Sequence, residues 1–259
     1  MTRRALGLVA LLAVLLLAVA GVTGCGGSDD DETELTVSAA ASLKAAFEAY
    51  GRDLDGVTVR YSFAGSDELA AQIEQGVKPD VFAAANTRLP DRLFANGLVE
   101  KPVVFAQNRL VIGVPAGSEV DSIDDLEEPG TTIAIGSPSV PIGSYTRDVL
   151  GRLPAAQREA ILANVRTEEP DVAGIIGKLT QGAVDAGFVY VTDVTATKGK
   201  LEAIDLPARL QPEAAYGAAV VEGAAHPDAA KRFIDGLLSG DGARALRDAG
   251  FEPPLSGGA

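Results

Sequence analysis

Residues 57–76 read VTVRYSFAGSDELAAQIEQG, and the order of two patterns within them decides the fold. Residues 57–63 alternate in polarity with period two, as a half-buried strand does. Residues 66–75 then change to helical spacing, with Leu69 and Ile73 four apart, and Gly76 supplies a C-terminal stop. A strand feeding directly into a helix is the unit of layered α/β proteins. Upstream, residues 35–37 form a strand and residues 42–55 a helix with Leu43, Ala46, Phe47 and Tyr50 on one side. Downstream the alternation continues. Strands are expected at 81–85, 109–115, 131–135, 186–190, 201–206 and 216–221. Helices are expected at 89–95, 123–126, 143–150, 154–163, 172–181, 227–238 and 241–248.

No Gly/Ser-rich linker divides this pattern, yet it is long enough for two modest domains. The expected solution is two α/β lobes with the chain crossing between them twice, near residues 105–109 and 212–217. Residues 35–106 with 217–259 would make the first lobe and residues 107–216 the second. Double crossings create a hinged cleft, which is a natural ligand site.

The ends and the composition narrow the setting. Arg3 and Arg4 precede an uncharged apolar stretch that runs to Val22-Thr23-Gly24-Cys25. Such a start is a secretory signal. Small residues before a lone cysteine resemble the bacterial lipobox, so residues 1–24 are expected to be removed and Cys25 lipidated. The stretch also approaches spanning length, and an uncleaved transmembrane anchor is the other reading. Both readings put the body outside the cytoplasmic membrane, on its outer face. Residues 25–34 contain a run of acids with no apolar cluster and are expected to form a flexible tether. Cys25 is the sole cysteine, so no disulfide can form within the chain. Net charge is −14, and −16 without residues 1–24. That surface repels nucleic acid and anionic lipid. Aromatics amount to 5% with no tryptophan, which disfavours a sugar platform or a base-stacking surface.

Four segments place a helix start just after a strand: AAASLKAAF at Ser42, SFAGSDELAAQI at Ser66, GSPSVPIGSYTRDVL at Pro141, Ile142 and Gly143, and EEPDVAGIIGKL at Val172. Ser42 and Ser66 are expected at N-cap positions. Helix starts carry unpaired N–H donors at the positive end of the helix dipole, so they hold anions without a charged side chain. A fifth segment, GFVYVTD, brings the Tyr190 phenol to a strand end. Any one of these is ordinarily a cap, a helix-start proline or a packing tyrosine.

In this order, AAASL, SFAGSDELAAQIEQG, PDVFAAA, VPIGSY, DV and GFVYVTD resemble the periplasmic molybdate-binding proteins of ABC importers, from Leu35 to the final GFEPP. The resemblance implies a two-lobed periplasmic-binding-protein type II fold with an oxyanion between the lobes. It implies that Ser42 and Ser66 give hydroxyl and N–H donors, Ile142 and Val172 give backbone N–H donors, and Tyr190 gives its hydroxyl. The ligand would be molybdate or tungstate, with no direct protein–metal bond and no cofactor. The partner would be a membrane permease, and the protein a monomer. Gly65 and Asp67 stand where serines are expected around Ser66, and Asp67 brings a carboxylate near the site. Neutral donors in a cavity lacking a strong acceptor would favour larger fully deprotonated anions over sulfate and hydrogen phosphate.

Other readings keep the fold and change the task. A binding protein for sulfate, thiosulfate or an organic acid would share the architecture, and a surface lipoprotein could bind a protein instead. Catalysis has little to stand on. His226 is the only histidine, no metal-ligand cluster is present, and no P-loop or GxGxxG occurs.

Overall fold

The computed structural model describes residues 33–254. The expected signal segment, Cys25 and the tether up to residue 32 lie outside the described residues. In chain order the elements are β1 (Thr33–Ala40), a 3-10 turn at Ala41–Leu43, α1 (Lys44–Arg52), β2 (Val57–Ala64), α2 (Ser66–Glu74), β3 (Val81–Ala84), α3 (Arg88–Ala95) and β4 (Val103–Asn108). There follow β5 (Leu110–Pro115), a 3-10 turn at Asp124–Glu127, β6 (Ile133–Gly136), α4 (Pro141–Gly151), α5 (Ala155–Ala163), β7 (Val165–Glu169), α6 (Val172–Thr180) and β8 (Ala186–Tyr190). The chain ends with α7 (Val191–Ala196), β9 (Leu201–Asp205), a 3-10 turn at Ala208–Leu210, β10 (Ala214–Val220), α8 (Pro227–Leu238) and α9 (Asp241–Asp248).

Among the described residues the strands form two five-stranded sheets, ordered β2-β1-β3-β10-β4 and β7-β6-β8-β5-β9. In the first, β1 runs parallel to β2 and β3, and β10 lies antiparallel between β3 and β4. In the second, β6 runs parallel to β7 and β8, and β5 lies antiparallel between β8 and β9. The architecture is α/β and two-lobed. Each sheet is completed by one strand that enters just after a crossing. The first crossing is Arg109, between β4 and β5, and the second is residues 206–213, between β9 and β10. Gln107 and Asn108 therefore belong to the first sheet, as do Ala214, Ala215 and Tyr216, against the expected limits of 107 and 216. Thr33 and Glu34 pair with Val57 and Thr58, so regular structure begins inside the stretch expected as tether. At the first crossing, Arg109 Nη1 lies 2.7 Å from Asp205 Oδ1 and Nε lies 3.5 Å from Glu252 Oε1.

Packing explains the strand sequences. β3 (VFAA) and β8 (AGFVY) are buried at every position, as interior strands covered on both faces must be. The first lobe is filled by rings. Phe47 meets Phe233 edge-on at 5.5 Å and Phe105 at 6.1 Å, and Tyr50 lies 4.8 Å from Phe233. The second is filled mainly by aliphatic side chains, among them Ile112, Ile133, Ile135, Leu150, Ile161, Ile175 and Leu179, all buried. Each such residue contributes roughly 1.5–3 kcal/mol by leaving water.

The lobes share one polar clasp. Ahead of β3, Asp80 Oδ2 accepts from Thr36 N–H at 2.8 Å and from the Thr36 hydroxyl at 2.7 Å. Ahead of β8, Asp185 Oδ2 accepts from Thr132 N–H at 2.8 Å and from the Thr132 hydroxyl at 2.6 Å. Asp80 alone takes a third bond, from His226 N–H at 2.8 Å, which ties the start of α8 to the first sheet. That contact gives the single histidine a place in helix capping.

Three elements were not expected from sequence: β4, β7 and α7. β7 (VRTEE) is a half-exposed edge strand whose side chains carry charge. α7 (VTDVTA) is one and a half turns of mainly β-branched residues with low helix propensity. The Asp193 carboxylate accepts Tyr190 N–H at 3.1 Å and holds its first turn.

Candidate functional site

Four strand-to-helix junctions point at one place between the sheets. Ala41 and Ser42 follow β1, Gly65 and Ser66 follow β2, Pro141 and Ile142 open α4 after β6, and Asp171 and Val172 open α6 after β7. With Tyr190 at the end of β8, they line a cavity of about 20 Å³, completed by Ala40, Ala64, Ala85 and Val140. A single water needs roughly 10–15 Å³ on that measure, so the space suits one compact ligand. A wider groove of about 510 Å³ shares Ser42 and Val172 and runs between α1, α6 and α7. The donors converge on the small cavity, which decides between the two.

All five residues singled out from sequence, Ser42, Ser66, Ile142, Val172 and Tyr190, lie on this wall. Two of their local settings differ from expectation. Ser42 is not an N-cap but sits inside the 3-10 turn, whose cap is Ala40. Ser66 is the first residue of α2, whose cap is Gly65. Neither hydroxyl is spent on capping its own helix. Ser66 Oγ accepts Ala85 N–H at 3.1 Å, which leaves its proton free to donate.

No hydrogen bond among the described residues occupies the backbone N–H of Ser42, Ser66, Ile142 or Val172. Pro141 at the first position of α4 has no N–H, and its fixed φ suits a helix start. Pro141, Ile142 and Gly143 are all buried. An added Cβ at Gly143 would collide with the Ser137 carbonyl oxygen, so only glycine lets the helix start fold back on the strand end. Arg147 Nη1 donates to the Gly136 and Gly143 carbonyls at 2.8 and 3.0 Å and fixes that turn.

A chain of partners backs the Ser42 hydroxyl. Asn108 Oδ1 accepts Arg109 N–H at 2.9 Å. Its amide nitrogen therefore donates to Thr192 Oγ1 at 2.8 Å and, more weakly, to the Tyr216 hydroxyl oxygen at 3.4 Å. Tyr216 and Ser42 Oγ are hydrogen-bonded at 2.9 Å, and either hydroxyl can be the donor. When Tyr216 donates, Ser42 keeps its proton for the cavity. Asn108 and Tyr216 were not identified from sequence. The one signal was a tyrosine inside the apolar strand AAYGAAV, since a buried phenol needs a partner.

The Tyr190 hydroxyl is buried and has no partner at good hydrogen-bond distance and angle among the described residues. A buried polar group without a partner costs about 1–3 kcal/mol, which a ligand can recover. Burial, then the nearby Tyr216, Tyr145 and Asp193, hold its pKa well above the usual phenol range, so it remains a donor. Among the described residues no lysine, arginine or histidine lines the cavity. The one acid among them is Asp171, whose Oδ1 caps α6 by accepting Gly174 N–H at 2.9 Å. The expectation of a wall without a strong acceptor therefore needs correcting, because a carboxylate is present there and is turned toward its own helix. Asp67, the acid of concern from sequence, is not on the wall; it lies in the first turn of α2, where the helix dipole favours it.

The arrangement is a set of neutral hydrogen-bond donors facing one small cavity. The chain matches the bacterial extracellular solute-binding proteins over residues 35–252. It is 34% identical over 257 residues to the molybdate-binding protein ModA of Mycobacterium tuberculosis, with 93% of this chain and 96% of the relative covered. Among solved structures, the Azotobacter vinelandii periplasmic molybdate-binding protein superposes with a TM-score of 0.78 at 22% identity, covering 85% of this chain and 100% of the other. The sulfate-binding protein SubI of Mycobacterium tuberculosis superposes with a TM-score of 0.76 at 20% identity, covering 86% and 88%. At those identities the two structures bear on the fold alone. The chain accordingly belongs to the bacterial extracellular solute-binding protein family.

Proposed function

We propose that this protein captures molybdate or tungstate outside the cytoplasmic membrane and delivers it to the permease of an ABC importer. The observation that carries this reading is a buried, unpartnered Tyr190 phenol on a small cavity ringed by unbonded helix-start N–H groups and free of basic side chains. Five to seven neutral donors can replace the hydration shell of a dianion, at roughly 1.5–3 kcal/mol for each charge-assisted bond. Exclusion of water strengthens every one of them. The charge of −16 on the chain without residues 1–24 slows approach of an anion, but salt screens it over about 8–10 Å and leaves the short-range contacts intact. The name carried by the mycobacterial relative supports molybdate as the solute. Closure of two lobes on the anion gives the permease a distinct shape to read. The protein acts as a monomer, held to the outer face of the membrane by lipid on Cys25.

A second oxyanion, sulfate, is the alternative, because a sulfate-binding protein shares the fold. Titration calorimetry with molybdate, tungstate, sulfate and phosphate separates the two. Tight binding of the first two with weak sulfate binding is expected, and sulfate binding as tightly as molybdate would overturn the assignment. The anchor is tested by Cys25→Ala, which is expected to release the protein from the membrane fraction.

A further inference from the structure

Gly65 has no backbone reason to be glycine. It caps α2 with φ −59° and ψ 135°, a conformation open to every residue. Serine, aspartate or asparagine would cap the helix better. Its surroundings supply the reason instead. A Cβ on Gly65 would lie 2.5 Å from the Pro170 carbonyl oxygen and 3.5 Å from Val140 Cγ1. Both belong to the other lobe: Pro170 leads into α6, and Val140 caps α4. Within its own lobe the nearest atom is Asp67 Oδ1 at 3.0 Å, the mobile tip of a side chain. Gly65 is thus where the helix start of one lobe meets two helix starts of the other, on the wall of the cavity.

We infer that the missing side chain at Gly65 sets how far the lobes close, and through it the size of oxyanion that the cavity grips. The inference rests on the capture function proposed above. The obstacle to any side chain is a backbone carbonyl, which cannot rotate aside. An alanine or serine there separates the lobes by a fraction of an ångström to about 1 Å, enough to forfeit much of the contact across the seam. Pro170 lies two residues before Val172, so a displaced carbonyl carries the Val172 N–H away from the anion. The Ser42 and Ser66 donors stay with the first lobe, and the anion can no longer satisfy both sides at full strength.

The test compares wild type, Gly65→Ala and Gly65→Ser as full chains in detergent. It measures affinity and dissociation rate for molybdate, tungstate and sulfate by calorimetry and stopped flow, and unliganded stability by thermal unfolding. Small-angle scattering of the molybdate-loaded forms reads closure. Both variants are expected to lose about tenfold or more in molybdate affinity, mainly through faster release. Their loaded forms should be more extended than the wild type. The unliganded unfolding midpoint should hold for Gly65→Ala and rise slightly for Gly65→Ser, because serine improves the cap while harming closure. Undiminished affinity in both variants overturns the inference and leaves the function standing. A midpoint that falls in step with affinity also overturns it, since that marks a local packing defect. Wild type that binds none of the three ions overturns the proposed function and this inference together.

Discussion

Asp80 and Asp185 stand at equivalent points of the two lobes, each ahead of a central buried strand and each bonded to the N–H and hydroxyl of a threonine on the neighbouring strand or just ahead of it. Asp80 is 1% exposed and holds a third partner, whereas Asp185 is exposed. The lobes diverge in the same way at the cavity. The first presents side-chain hydroxyls, Ser42 and Ser66, backed by other groups. The second presents bare backbone N–H groups and one phenol. One sheet plan therefore carries two kinds of hydrogen-bond donor, one sensitive to point substitution and one written into the backbone.

The largest effect expected from breaking the symmetry is on stability. Asp80→Asn leaves a buried donor without its carboxylate and should cost about 2–4 kcal/mol in urea unfolding, while Asp185→Asn should cost under about 1 kcal/mol. Burial opposes the Asp80 charge, but the Thr36 N–H and hydroxyl with His226 N–H outweigh it, so its pKa lies below the usual 3.8. Its contribution is therefore complete above that value and is lost as pH falls through the lower, folded-state pKa. An acid unfolding curve that Asp80→Asn left unchanged would break this assignment.

Next in size are the donors. Ser42→Ala and Tyr190→Phe should each weaken molybdate binding by about 10–100-fold, measured by calorimetry, with unliganded stability little changed or improved for Tyr190→Phe. Ile142→Ala should bind within a few-fold of wild type, because its donor is the backbone.

Asp193 gives a pH effect of opposite sign to that of Asp80. Burial raises its pKa to about 7, with Asp171 adding to the rise and the Tyr190 N–H bond opposing it. The folded state therefore holds a proton that the unfolded state has lost above about pH 4. The associated stability is greatest below that point and is lost as pH rises to about 7. Some of its surface still meets solvent, so Asp193→Asn should gain only roughly 1–2 kcal/mol at pH 8 and nothing at pH 4.

The smallest expected effect is the most diagnostic of proton direction. Tyr216→Phe should weaken binding about three- to tenfold in the presence of Ser42 and not at all in the Ser42→Ala background. Equal losses in both backgrounds would reduce Tyr216 to a packing residue.

Much of this layout was legible in sequence because strand-to-helix junctions announce themselves twice, by a change of period and by a helix-start residue. Residues 57–76 show both. Ser42, Ser66, Ile142 and Val172 were legible for the same reason; Tyr190 also sits at such a junction, between β8 and α7, but its helix was hidden in sequence. The hydroxyl chemistry was not. A serine at a helix start reads as a cap, and only the fold shows Ser66 Oγ taken by Ala85 and Ser42 Oγ by Tyr216, 174 residues away. β7 stayed hidden because an edge strand of VRTEE carries no apolar alternation, and α7 because β-branched residues argue against a helix that tertiary contacts enforce. Gly65 was visible only as a departure from an expected serine; its meaning required the carbonyl on the other side of the cleft.

The position of β10 also fixes the order in which the molecule can be completed. The first sheet has a slot between β3 and β4 that stays empty until residues 214–220 arrive, and residues 109–213 come in between. A chain made from its N-terminus thus folds its first half last, by threading a late strand between two early ones. Pairings so distant in sequence form slowly. The second lobe, whose strands β5 to β9 are contiguous in sequence, can therefore be complete before the first sheet is closed.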